Sequence, residues 1–247
     1  MKKFPFLLLL LTAGISSCTK HNPKDAYFDN ILGSFVQSYV IGDDLIAVPG
    51  EAVPGDHEVS LGSIAVSVDA DAGSTRWLAQ HTCSSSEDID LFKDLSARHN
   101  DTNYQKELIP GFACFYKDFV SIDVICNEDF DDNHKAGTSI ADIVRYQARS
   151  PFRWISNGYK PDEHCGYSGE FDDFDMPLSD VNSSNMTMLE AGQYRRTSDY
   201  KGFWGIMWLQ ITSKPAFSTK CNVTVILEAD DGTVSELPVT VDFGDSL

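Results

Sequence analysis

The chain has 247 residues, with 37 Asp and Glu against 19 Lys and Arg, for a formal net charge of −18. That balance excludes nucleic acid as a partner, because binding to a phosphate backbone depends on neutralisation by Lys and Arg. The length is ample for one large all-β domain or two small ones.

The N-terminal segment, MKKFPFLLLLLTAGISSC, places Lys2 and Lys3 before an apolar run, Phe6 to Leu11, and small residues that lead to Cys18. This order is the pattern of an export signal. The run is about half the ~20 residues that a transmembrane helix requires, so no permanent span is expected here. The longest later apolar run, Phe203 to Leu209, is shorter than that requirement too. Ile15-Ser16-Ser17-Cys18 resembles the lipobox of bacterial lipoproteins, in which a branched apolar residue and two small ones precede the cysteine. The resemblance implies cleavage just before Cys18, diacylation of its thiol and acylation of the new N-terminus. Each buried CH₂ of an acyl chain adds about 0.8 kcal/mol of membrane affinity, so the expected partner of Cys18 is a lipid bilayer. The alternative is an ordinary secreted protein in which Cys18 is one more thiol. Cleavage removes Lys2 and Lys3 and takes the net charge from −18 to −20. The expected organisation is a signal over 1–17, a polar tether over 18–25, and a single β-rich domain over 26–247 with two subdomains as the alternative.

In the body, period-two alternation of apolar residues dominates. A loop punctuated by Pro and Gly, Val48 to Asp56, precedes a strand carrying Ile64, Val66 and Val68. A short helix is expected from Leu91 to Ala97 between two polar stretches, and a second strand over Phe119 to Cys126. Beyond it Glu128, Asp129, Asp131 and Asp132 crowd ahead of an apolar run. Ile140, Ile143, Val144 and Gln147 follow helical spacing, Thr138 or Ser139 can cap, Ser139 with Asp142 resembles a capping box, and Pro151 lies beyond the end. The spacing therefore predicts a helix, with the carboxylates near the positive end of its dipole. Compared with an EF-hand loop, Asp129, Asp131 and Asn133 match the first ligands, but His134 stands at the sixth position and Ile140 at the twelfth. No metal site is assigned, and a looser calcium site over Asp129 to Asn133 stays open.

The segment His164 to Pro177 gathers His164, Cys165, Glu170, Asp172, Asp173 and Asp175. Carboxylates roughly 5 to 9 Å apart serve glycoside hydrolysis, and His with Cys binds zinc. Adjacent side chains such as His164 and Cys165 seldom converge on one ion, however, and a solvated acidic loop is the simpler reading. Gly166 to Gly169 is not a nucleophile elbow, and Ser198 with Lys201 lacks the motifs that accompany S-x-x-K in catalysis. No catalytic residue and no cofactor is assigned.

Tyr200 to Thr212 is apolar on both faces of a strand. It reads as a central strand covered on both sides or, alternatively, as a platform on which Trp204 and Trp208, roughly 13 Å apart, stack on sugar rings. The chain ends in a hairpin, Cys221 to Glu228 and Val234 to Phe243, turned by Asp231-Gly232, with Pro238 expected on an edge strand. Such a terminal hairpin suggests a mainly β fold, an immunoglobulin-like sandwich with one or two short helices inserted. After Cys18, the cysteines are Cys83, Cys114, Cys126, Cys165 and Cys221, an odd number that cannot all pair within one chain. Cys126 and Cys221 continue apolar strand faces and read as small buried hydrophobes in preference to a disulfide, with the pairing left open.

The lipobox-like terminus, the acidic β-rich body and the lack of a catalytic signature together resemble lipoproteins of Bacteroidetes-type bacteria. The resemblance implies a protein anchored at the cell envelope, at the outer membrane, that binds or scaffolds a glycan or an envelope protein. A structural lipoprotein and a carboxylate-dependent glycoside hydrolase are the alternatives. Thr19, Lys20 and His21 stand where surface-exposed members carry acidic residues, so the membrane face is open.

Overall fold

The computed structural model describes residues 31–50, 62–69, 72–106, 113–160, 172–181, 190–191 and 204–244. The signal, the tether and Cys18 lie outside them, as do the Trp204 side chain, His164, Cys165, Glu170, Ser198 and Lys201. Among the described residues, no helix is long and apolar enough to cross a membrane.

The protein is mainly β, with short helices, as the alternation predicts. One sheet has the order β2 (Leu45–Pro49), β3 (Ser63–Val68), β10 (Trp204–Ile211), β7 (Val144–Ser150), β8 (Asp172–Pro177). A second has β12 (Val234–Asp242), β11 (Lys220–Ala229), β6 (Phe119–Cys126), and a third β4 (Arg76–Ala79), β1 (Ser38–Ile41), β5 (Ala113–Phe115), β9 (Glu190–Ala191). The first two share one core. Ile64, Val66, Tyr146 and Leu209 of the five-stranded sheet join Ile122, Val124, Val223, Val225 and Val239 of the three-stranded one. Val223, Val225 and Leu227 are buried in alternation with more exposed neighbours, because successive strand side chains point to opposite faces.

The third sheet carries a second cluster. There Phe35, Tyr39, Leu78 and Trp154 pack with Phe92 and Leu95 of α1 (Ser86–Arg98), and Trp154 lies in α2 (Phe152–Ser156). The side chain of Ser85 caps α1 by accepting from the Asp88 amide, and Glu87 and Asp88 fill the first turn near the positive dipole end. The expected Leu91 to Ala97 helix is the inner part of α1. Below it Asp101, fully buried, accepts four hydrogen bonds: from Ser34 Oγ at 2.5 Å, the amides of Phe35 and Val36 at 2.7 and 2.9 Å, and the Tyr159 hydroxyl at 2.9 Å. Burial raises its pKa, and the four donors oppose the rise.

The terminal hairpin matches expectation. Glu228 pairs with Val234, Gly232 takes φ +81°, and Pro238 lies opposite Thr224 on the edge strand β12. The helix expected from Ile140 onward does not form. Ala141–Ile143 makes one 3₁₀ turn, and the chain then runs extended as β7 between β10 and β8. Val144, Tyr146 and Ala148 are buried in alternation, so the period of two prevails over the helical spacing of Ile140, Ile143 and Val144. Ser139 still accepts the Ala141 amide at 3.1 Å, but its hydroxyl bonds Asp123 across the bend, and the cap starts a single turn. The acidic loop also ends sooner than expected, since its last part, Asp172–Pro177, is the edge strand β8.

Candidate functional site

Among the described residues, a dense group of ionisable side chains lies where the link from β5 of the third sheet to β6 of the second meets the tip of the β11–β12 hairpin and the end of α1. The β5–β6 link presents Tyr116, Lys117 and Asp118, and the β11–β12 turn presents Asp230, Asp231 and Thr233. A backbone hydrogen bond of 2.9 Å from the Asp230 amide to the Asp118 carbonyl holds the link and the turn together. Arg98 and His99 come from the end of α1, and Asp43 from the link between β1 and β2.

Lys117 is the hub. Its Nζ lies 2.7 Å from Asp43 and 2.9 Å from Asp231, 3.3 Å from Thr233 Oγ1, and 5.4 Å from the centre of the Tyr116 ring. Burial alone would lower its pKa, but hydrogen bonds to Asp43 and Asp231 outweigh this and hold the ammonium above its ordinary value. Asp43 is held below the usual carboxylate range by Lys117 and Tyr116, and Asp231 by Thr233 and Lys117. The Tyr116 hydroxyl donates to Asp43 at 2.5 Å, and burial pushes its pKa up to about 12. Lys117 is thus charged and satisfied, which suits an ionic latch and does not suit a nucleophile.

Behind the latch sits a second pair. His99 Nε2 is 3.4 Å from Asp118 Oδ2, and the two side chains are only 8% and 12% exposed. Burial, with Asp230 beside it, pushes the Asp118 carboxyl up to about 7, and burial and then Arg98 pull His99 down to about 4. Burial is the largest cause for both partners, so a neutral imidazole faces a carboxyl that titrates near neutrality. Next to this group is a small, shallow recess with room for little more than a water molecule, with Phe115, Phe119 and Leu227 as its apolar wall and Asp43, Lys117 and Ser235 at its polar edge. Shifted carboxyls beside a recess mark a functional-site candidate on physical grounds.

The two shifts pull stability in opposite directions. Asp118 has a raised folded pKa, so its contribution is complete below the unfolded value of about 4 and is lost as pH rises through about 7. His99 has a depressed one, so its contribution is present above about 6.5 and lost as pH falls through about 4. Between these limits the slopes oppose. Urea unfolding across pH 4 to 7 is expected to give a rising stability in Asp118→Asn and a falling one in His99→Gln, relative to a flatter wild type. Parallel curves for all three proteins would remove both shifts.

The residues singled out in the sequence are not brought together here. Trp208 is 8% exposed in the centre of a sheet, with Ile206, Met207 and Leu209 also buried, so it is not presented as half of a sugar platform. The register shift between Gly205 and Met207 marks a bulge in β10, at a glycine. Asp175 pairs with Arg145 at 2.8 Å on the edge strand. In the acidic turn, Glu128 accepts from the Asn222 amide at 2.8 Å, Asp129 from the Ala136 amide at 3.0 Å, and Asp131 from the amides of Asn133 and His134 at 2.7 and 2.8 Å. Glu128, Asp129 and Asp131 are thus spent on the protein's own donors, and Asp132 stands exposed 3.7 Å from Lys135. Among the described residues, no three or more His, Cys, Asp or Glu side chains converge as metal ligands would. Cys126 and Cys221 are buried thiols in the main core, and Cys83 and Cys114 are thiols also.

No protein-family model matches the chain, and no curated protein or solved structure matches it. The functional reading therefore rests on its residues. Sequence inspection missed the Lys117 group because its members come from four separate segments, of which only the turn at Asp231-Gly232 carries a local signal.

Proposed function

We propose that the protein is a lipid-anchored component of a bacterial cell envelope, fastened to the outer membrane through acylated Cys18. Its body, residues 26–247, is read as one domain of immunoglobulin-like sandwich type that binds or scaffolds a glycan or an envelope protein. The observation that carries this reading is the terminal order of Lys2 and Lys3, a short apolar run, and Ile15-Ser16-Ser17-Cys18. A binding role is favoured over turnover because Lys117, Asp175 and most of the acidic turn are engaged in ion pairs and hydrogen bonds within the protein. With Trp208 buried, capture falls to the loops around the recess, among them the β5–β6 link and the β11–β12 turn. The hydrolase reading is weaker, because Asp175 lies on an extended edge strand and is paired with Arg145.

Fractionation of cells that express the full chain tests the anchor. The wild-type protein is expected in the membrane pellet after a 1 M salt wash, which screens surface electrostatics, and in the supernatant after detergent. Cys18→Ser is expected to be soluble without detergent. A Cys18→Ser protein that stays in the salt-washed pellet would contradict the anchor.

A further inference from the structure

The acidic turn contains an arrangement that the reading above does not use. His134 lies between two carboxylates: Nδ1 is 2.9 Å from Asp131 Oδ1 and 3.0 Å from Oδ2, and Nε2 is 3.1 Å from Asp142 Oδ1. Asp131 belongs to the same turn. Asp142 belongs to the 3₁₀ turn that starts β7. We propose that His134 is a pH-sensitive clip that fastens this turn to the start of β7 when its imidazole is protonated and releases it when the imidazole is neutral.

The physical reason is the donor inventory of the ring. A protonated imidazole donates from both nitrogens and satisfies both carboxylates, whereas a neutral one donates from a single nitrogen and turns a lone pair towards the other carboxylate. One side of the clip must then open. Hydrogen bonds to Asp131 and then Asp142 hold the His134 pKa above its ordinary value, which agrees in sign. The groups around the ring leave the direction clear. Lys135 is drawn towards Asp129 at 3.4 Å and Asp132 at 3.7 Å, and Asp123 of β6 receives Ser139. Phe130 meets the imidazole edge to face at 6.3 Å and meets Phe243 of the C-terminal segment at 5.9 Å, and neither ring carries a charge.

The clip covers the end of the core. Phe130, fully buried, is the apolar plug of the turn, and its amide donates to the His134 carbonyl at 2.9 Å. Its carbonyl accepts from the Ala216 amide at 2.8 Å, so the turn also holds the segment that follows β10. The stabilisation is complete below the unfolded pKa of about 6.5 and is lost as pH rises through the higher folded value. The inference does not depend on the proposed anchor.

Hydrogen exchange of the full chain, corrected for intrinsic rates, tests it against pH. Protection of the Asn133 and His134 amides is expected to fall between pH 6 and pH 9, by about tenfold for each unit by which NMR titration places the His134 pKa above 6.5. His134→Gln keeps one side-chain donor and is expected to lose this dependence, while Asp142→Asn is expected to lower the midpoint. Protection that does not change with pH in the wild type, an equal change in His134→Gln, or an imidazole titrating at or below 6.5 would each overturn the proposal.

Discussion

Asp101→Ala is expected to lower stability by about 3 kcal/mol or more, a fall of about 6–12 °C in Tm for a chain of this size. The carboxylate accepts from Ser34, the Phe35 and Val36 amides and Tyr159, and no part of Asp101 reaches solvent. Alanine removes the acceptor of the Phe35 and Val36 amides, which cannot turn elsewhere, and of the Tyr159 hydroxyl, while the Ser34 hydroxyl keeps the Val36 carbonyl at 3.1 Å. Removal of a buried charge relieves part of the loss. Tyr159→Phe, which takes away a single donor, is expected to cost only about 1 kcal/mol. Urea unfolding checks both, and a loss below about 1 kcal/mol for Asp101→Ala would mean that the node does not organise this end of the fold.

The second large effect is expected at Phe92. The ring is fully buried and stands edge to face with Tyr39 at 5.2 Å, and only Phe92, Leu95 and Ser96 of α1 are buried. Phe92→Ala should therefore cost about 3–5 kcal/mol, from lost transfer energy and the cavity left behind. Because Phe92 is the largest anchor between α1 and the third sheet, hydrogen exchange in α1 should rise more than in β11 or β12. Lys93→Ala, one position along on the exposed face, is expected to stay within about 0.5 kcal/mol of the wild type. A Phe92→Ala protein that unfolds with uniform exchange across α1 and β11 would show that the two clusters form one cooperative unit.

Two stretches with the same local signature explain what the sequence made legible. Ser85 with Asp88 and Ser139 with Asp142 both have the form of a capping pair. Only the first opens a helix. After Ser85 the buried positions, Phe92, Leu95 and Ser96, recur at helical spacing. After Ser139 the buried positions settle into Val144, Tyr146 and Ala148, and sheet pairing with β10 and β8 claims them. A cap stabilises a start, and the apolar period that follows decides what starts. Strand existence was legible for β6, β11 and β12, where the alternation is clean, and so was the edge position implied by Pro238. Trp208 was ambiguous for a physical reason: a strand covered on both faces and a strand with an aromatic display present the same run of residues, and only the neighbouring strands distinguish them. The Lys117 latch and the Asp101 node were not legible, since Asp101 meets Ser34 across 67 positions and Lys117 meets Asp231 only once β6 pairs with β11.

The most direct test of the proposed anchor is the mass of the N-terminal peptide from protein isolated out of its native membranes. The expected result is a chain that begins at Cys18 and carries three acyl groups, two on the thiol-linked glyceryl and one on the α-amine. A Cys18 with an unmodified thiol, or a chain that still carries residues 1–17, would contradict it.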